Sequence, residues 1–221
     1  MNAQHPTPAR RATAQQIALE HIRELLASGH LKPDDRIRQE QLAAELGTSV
    51  IPVREALKTL EAEGQLRYAP HRGYQVTRLS LDELSETYLI RRLLEDEIVR
   101  IAAPLMSEEL YAELDRLMGA MEAASAAGDT QTMIGANRDF HFAIFGAARH
   151  PRMEDLIRML WQSTDAYRSV YYTDGHARER VNHEHRSIVD ALRSGDVDRA
   201  VRELDEHRGH AIAALTERLD D

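Results

Sequence analysis

Apolar positions three and four residues apart recur along most of this chain, and strand-like runs are confined to one short region. Between 12 and 27, Ile17, Ala18, His21, Ile22, Leu25 and Leu26 keep helical spacing. Gly29 ends that run and Pro33 keeps it ended. Residues 39–46 predict a short second helix with Leu42, Ala43 and Leu46 on one face and Gly47 just beyond its end. Thr48 and Ser49 then supply an N-cap, and Pro52 is tolerable only in a first turn. A third helix therefore starts there and runs to about Glu63, with Val53, Ala56, Leu57 and Leu60 inward. Two short strands, 66–69 and 74–78, flank Pro70-His71-Arg72-Gly73 and read as a hairpin.

Beyond Ser80-Leu81-Asp82-Glu83, a capping-box pattern, no strand signal remains. Helical stretches are predicted at about 81–104, 107–127, 130–147, 151–173, 177–194 and 197–218. Pro104, Gly128-Asp129, Pro151, Asp174-Gly175 and Gly195-Asp196 separate them, and Asp129 and Asp196 make good N-caps. Aromatic residues are only 5%, so the core must be mostly Leu, Ile, Ala and Met, as in a helical bundle. The expected fold is mainly α: a flexible arm over 1–11, a winged helix-turn-helix over 12–79, and an all-α bundle over 80–221.

With 221 residues, 43% hydrophobic and 29% charged, disorder and fibrous structure are excluded. No apolar run approaches the roughly 20 residues of a membrane span. The polar first eleven residues do not read as a secretory signal. The absence of cysteine excludes disulfides, thiolate metal sites and cysteine nucleophiles, and a cytoplasmic protein is expected. The net charge of −9 counts against nucleic acid until it is divided along the chain. Residues 1–80 carry eleven Lys and Arg against nine Asp and Glu, so the acidic excess lies entirely in the remainder.

That division gives the first eighty residues their own chemistry. A helix joined to its predecessor by a tight Gly turn can lay its first residues against base edges in a major groove. The N-terminus at Thr48 and Ser49 offers N–H groups and a hydroxyl to a backbone phosphate. Arg54, one turn in, can reach a guanine edge bidentately. Arg36, Arg38 and Lys58 flank the same end as phosphate contacts, and His71 and Arg72 form the tip of a wing. Taken singly, each of these basic residues reads equally as a solvated face. Together, Arg38 to Ser49, Pro52-Val53-Arg54-Glu55-Ala56-Leu57, Leu60 to Gly64 and Arg72 to Val76 resemble the winged helix of the GntR family of bacterial transcription regulators. Many relatives carry Arg where this chain has Val50, which places more of the base reading on Arg54.

Seven of the eleven histidines lie at or beyond His141. Asn137 and His141 are four apart, about 40° around a helix. His185 and His207 lie on later helices, so one oxygen and three imidazoles can meet at a point suited to Zn²⁺, Ni²⁺ or Mn²⁺. Asp139, two before His141, points away. Any one histidine alone is more often packed or exposed than a ligand; His150, His176, His183 and His210 are read that way. Arg91-Arg-Leu-Leu-Glu95, Asn137 to His141, Glu184-His185 and Asp198 to His207 resemble the FCD ligand-binding domain of the FadR subfamily of GntR regulators. The resemblance implies that Asn137, His141, His185 and His207 hold a divalent metal ion, with a neutral Asn where many relatives have Asp. It also implies that Arg91 grips a small carboxylate over the metal; the alternative for Arg91 is a surface pair with Glu95. Tyr88, Arg168 and Tyr171 are candidates to line the pocket, and Met159 and Trp161 are assigned to the core.

The function expected from these features is that of a DNA-binding transcriptional regulator, not an enzyme. As a homodimer it would bind a palindromic operator, most simply as a repressor, with a small organic acid as effector. Two rivals stand beside it. One is a metal-dependent hydrolase with Glu184 as base; the other is an effector-free architectural DNA-binding protein.

Overall fold

The computed structural model describes residues 12–172 and 174–219, apart from the side chains of 168–170 and 217–219. The arm expected over 1–11 lies outside the described residues.

Three helices and a hairpin form the N-terminal head. They are α1 (Ala14–Ala27), α2 (Gln39–Glu45), α3 (Val50–Ala62), β1 (Leu66–Ala69) and β2 (Gly73–Val76). Thr13 and Gln16 close a capping box at the start of α1. The turn between α2 and α3 has a simple cause. Gly47 takes φ +61°, and the N–H groups of Gly47 and Thr48 donate to the carbonyls of Ala44 and Ala43 at 3.2 and 2.9 Å. This pair of hydrogen bonds closes α2 and redirects the chain into α3. Val53, Ala56, Leu57 and Leu60 are fully buried and meet Ala18, Ile22 and Leu26 of α1. Ile17, read as part of the apolar stripe, is 49% exposed, because the α1 face that packs runs through 18, 22 and 26. The strands pair antiparallel with Leu66 opposite Val76 and Ala69 opposite Gly73. Residues 34–37 add a third edge, with Ile37 N–H donating to the Tyr74 carbonyl at 2.9 Å and Val76 N–H to that of Asp35 at 2.9 Å. A two-stranded hairpin alone is marginal in water, so this added edge steadies the wing.

The second half is all helical: α4 (Leu81–Ala102), α5 (Glu108–Ala127), α6 (Thr130–Ala147), α7 (Pro151–Ser163), α8 (Asp165–Tyr171), α9 (Gly175–Arg193) and α10 (Val197–Leu219). A 3₁₀ turn over Ala103–Leu105 links α4 to α5 at Pro104. Ser80 and Glu83 form the expected capping box, and Asp129 caps α6 through the Thr132 N–H. The core is built largely of Leu, Ile, Ala and Met, joined by Phe140, Phe145 and Trp161. Trp161 is buried as expected, whereas Met159 is 40% exposed. Among the described residues no helix is long and apolar enough to cross a membrane.

The stretch predicted as one helix over 151–173 breaks at Thr164. No Pro or Gly marks the break. The Ser163 and Thr164 hydroxyls turn back onto the carbonyls of Leu160 and Trp161 at 2.8 and 3.0 Å, competing with the helix ladder. Arg138 of α6 pairs with the buried Asp165 and fixes where the next helix starts. The consequence is a short α8 that touches both halves of the molecule. Ala166 joins the core of the head, and the Tyr167 hydroxyl accepts a 2.6 Å bond from the Leu79 N–H. Removing that hydroxyl in Tyr167→Phe should lower stability by about 1 kcal/mol, measured by chemical denaturation.

Candidate functional site

The three histidines singled out on separate helices meet. His141 of α6, His185 of α9 and His207 of α10 are all buried, and one nitrogen from each lies within 4.8 Å of the others. Helical spacing explains the meeting. His141 follows Phe140 on the inward face of α6, and His185 stacks on Phe140 with ring centroids 4.3 Å apart. The three imidazole centroids are 4.9–5.1 Å apart, a compact triangle. The Nε2 atoms of His141 and His185 are 3.2 Å apart. Two imidazole nitrogens on one zinc ion at about 2.0–2.1 Å would be roughly 2.9–3.4 Å apart, so this spacing suits a shared ion. Burial, aided by neighbouring His207, pushes His185 well below its ordinary pKa and keeps it in the neutral form that ligates metal.

His207 is oriented from behind. Its Nδ1 meets the Glu184 carboxylate at 2.7 Å, which directs Nε2 toward the other two rings. The second Glu184 oxygen lies 2.7 Å from His210 Nδ1. Burial opposes ionisation of Glu184, but the bonds from His207 and His210 outweigh it and hold its carboxyl below the usual range. His210 and His183 are exposed, as is Asp139, in line with their expected places outside the cluster. Asn137 is buried one turn before His141, and its Oδ1 has no hydrogen-bond partner. An orphaned buried oxygen beside three imidazoles fits a fourth, oxygen ligand to a cation. Zinc, nickel and manganese all accept such an N,O donor set.

A small cavity of about 30 Å³ opens between this cluster and Arg91, with Tyr88, Asn137, Trp161, Tyr171 and His207 among its walls. That volume holds about two water molecules. Arg91 is buried, with its guanidinium 4.7 and 4.5 Å from the centroids of Tyr88 and Trp161. The pair with Glu95 exists but is internal, not on the surface: Nε donates to Oε1 at 2.8 Å. Glu95, fully buried, also accepts from Trp161 Nε1 at 2.7 Å and Arg208 Nη1 at 3.1 Å. Arg208, a further cavity residue, pairs with Asp96 and, at 3.2 Å, with Asp205. Sequence reasoning did not single out Arg208 or Tyr172, because neither lies in a recognisable spacing with the histidines. The side chain of Arg168 lies outside the described residues.

The nucleic-acid candidates lie in the head. Arg36, Arg38, Ser49, Arg54, Lys58, His71 and Arg72 are exposed, and Thr48 is half-buried in the turn. Ser49 occupies the N-cap position of α3 but makes no capping bond, so its hydroxyl is not engaged there. Arg54 donates from Nε to Gln39 Oε1 at 3.2 Å, which braces it against α2; Lys58 pairs with Glu55 at 3.0 Å. Arg67 and Arg78 are both held by Asp34, whereas Arg36, Arg38, Arg54 and Arg72 form no salt bridge among the described residues. His71 sits at the wing tip with φ +64°. Ile51, in the first turn of α3, is an apolar side chain left 73% exposed, which the sequence pattern did not mark.

Residues 13–76 match the family described as bacterial regulatory proteins, gntR family, and residues 86–210 match the FCD domain. The chain is 34% identical over 140 residues to the HTH-type transcriptional regulator McbR of Escherichia coli, covering 63% of each chain. It is 30% identical over 185 residues to the "Probable D-xylose utilization operon transcriptional repressor" of Paenarthrobacter nicotinovorans, covering 82% of this chain and 80% of that one. The solved structure of E. coli McbR/YncC superposes with a TM-score of 0.87 at 27% identity, over 94% of this chain and 99% of that one. A winged helix-turn-helix head followed by an all-helical FCD domain thus makes this chain a member of the gntR family of bacterial transcriptional regulators.

Proposed function

We propose that the protein is a cytoplasmic, homodimeric repressor of the FadR subfamily. The head, 12–79, grips a palindromic operator, and the helical domain, 80–221, senses a small organic acid through a divalent metal ion. In this reading Asn137, His141, His185 and His207 hold the ion, with zinc the first choice and nickel or manganese the others. Arg91 grips the carboxylate. Arg54 reads bases; Arg36, Arg38, Thr48, Ser49, Lys58, His71 and Arg72 hold the DNA backbone. The observation that carries the reading is that three buried imidazoles meet and that one of them, His207, borders a cavity together with Asn137 and the buried Arg91.

A route from cavity to DNA follows the chain. Tyr171 of α8 borders the cavity, while Ala166 of the same short helix packs in the core of the head. An acid that favours one setting of α8 shifts the two heads by its differential affinity and no further. The hydrolase alternative gains no support, because both Glu184 oxygens already face imidazoles.

A thermal-shift screen of small carboxylic acids, with and without divalent metal, tests pocket and ligand class together. Stabilisation by an acid only when metal is present supports the reading; no response to any metal or acid contradicts it and returns the effector-free binder. For the head, Arg54→Ala should weaken specific operator binding by about 1–3 kcal/mol in a gel-shift or anisotropy titration. Unchanged binding and an unchanged salt slope would remove Arg54 from the interface.

A further inference from the structure

The first turn of α3 carries an apolar side chain on its outward face. Val53, Ala56, Leu57 and Leu60 are buried in the head, and Ile51 lies about 160° around the helix from Val53. It is therefore 73% exposed, on the face that also carries the exposed Arg54, Glu55 and Lys58. Its neighbour Val50 is half-buried and packs against the head core, so the outward surface of this turn is made by Ile51 and by Ser49, whose hydroxyl makes no capping bond. Glu55 and Lys58 pair with each other at 3.0 Å, and Gln39 braces Arg54 from α2. In the same head Arg36, Arg38, Arg54 and Arg72 form no salt bridge among the described residues. The partner that suits such a surface is a polyanion with an apolar spot on it.

Duplex DNA has one. In the major groove the base edges present hydrogen-bond donors and acceptors, and the apolar group among them is the C5 methyl of thymine. An isoleucine pressed onto a polar edge strips water from it and returns no hydrogen bond, which is costly. We propose that Ile51 is a specificity-determining residue that reads a thymine methyl group in each half-site; this rests on the reading of α3 as the base-reading helix given above. Three residues separate Ile51 from Arg54, about 4.5 Å along the helix axis, against about 3.4 Å between base pairs. For a helix lying along the groove, the thymine is then one or two base pairs from the guanine that Arg54 reads.

The test uses the full chain and a library of random DNA duplexes. Sequences retained through repeated rounds of binding define the half-site. Each thymine in it is then replaced in turn by deoxyuridine, which removes only the methyl group, and affinities are measured by fluorescence anisotropy at fixed salt. One thymine per half-site, one or two base pairs from a guanine, should lose about fourfold on replacement, the worth of one buried methyl group. Ile51→Ser should bind the thymine and uracil duplexes equally and accept other bases at that position in a repeat selection. It should melt as wild type does, because the position is exposed. Unchanged affinity at every uracil position overturns the proposal, and so does a thymine preference that survives in Ile51→Ser. In both of those results specific binding persists, so the role proposed for the head stands. A library that yields no preferred sequence is a different result: it removes base reading by α3, and the role of Ile51 with it.

Discussion

Glu95→Ala is expected to cost about 3–5 kcal/mol of folding stability, in the range for breaking a buried ion pair from one side. Glu95 is fully buried and joins three helices, accepting from Arg91 on its own helix α4, Trp161 on α7 and Arg208 on α10. Without it, the Arg91 guanidinium loses its only carboxylate among the described residues while remaining in the interior. Urea denaturation followed by far-ultraviolet circular dichroism measures the loss; Trp161 fluorescence is unsuitable because its indole donates to the group removed. A loss below about 1 kcal/mol would show that the network is not a structural tie. The same carboxylate gives stability a pH dependence. Burial alone would raise its pKa, but Arg91 and Arg208 outweigh burial and hold it below the ordinary value. Its contribution is therefore complete above the unfolded carboxylate range and is lost as pH falls through that range and the lower folded value. In Glu95→Gln this acid-side loss should shrink.

His185→Ala should lower zinc affinity by more than about 100-fold, beyond the 10–100-fold typical of outer-shell changes. His185 supplies the nitrogen 3.2 Å from that of His141 and is completely buried. The ring also stacks on Phe140, so the variant loses packing as well as a donor. Two neighbours separate these effects when all variants are titrated with zinc by calorimetry. His183→Ala, on the exposed side of α9, should leave zinc affinity unchanged. His210→Ala, which meets the site through Glu184, should weaken it by about tenfold at most. Equal affinities for wild type and His185→Ala would take His185 out of the site.

Much of this was legible in the residues, for physical reasons that differ between the halves. In the head, Gly47, Pro52 and the stripe Val53, Ala56, Leu57 and Leu60 are short-range signals, so the helix-turn-helix could be placed nearly to the residue. In the bundle, Asn137 and His141 announce themselves by their separation of four, and buried His185 is separated from exposed His183 by helical phase alone. The break at Thr164 was not legible, because it depends on hydroxyl-to-carbonyl bonds and on an Arg138–Asp165 pair 27 residues apart. The surroundings of Arg91 were legible only in part. Its partner four residues on was evident, but burial of the pair follows from Trp161 and Arg208, which reach Glu95 from 66 and 113 residues away.

The proposed sensing depends on the proposed histidine centre, and X-ray absorption at the zinc edge tests that centre most directly on the metal-loaded full chain. The expected result is one ion per chain with an N/O shell at about 2.0–2.1 Å and the multiple scattering of coordinated imidazoles, reduced in His185→Ala. A sub-stoichiometric ion, or a spectrum without imidazole scattering, would contradict the proposed centre.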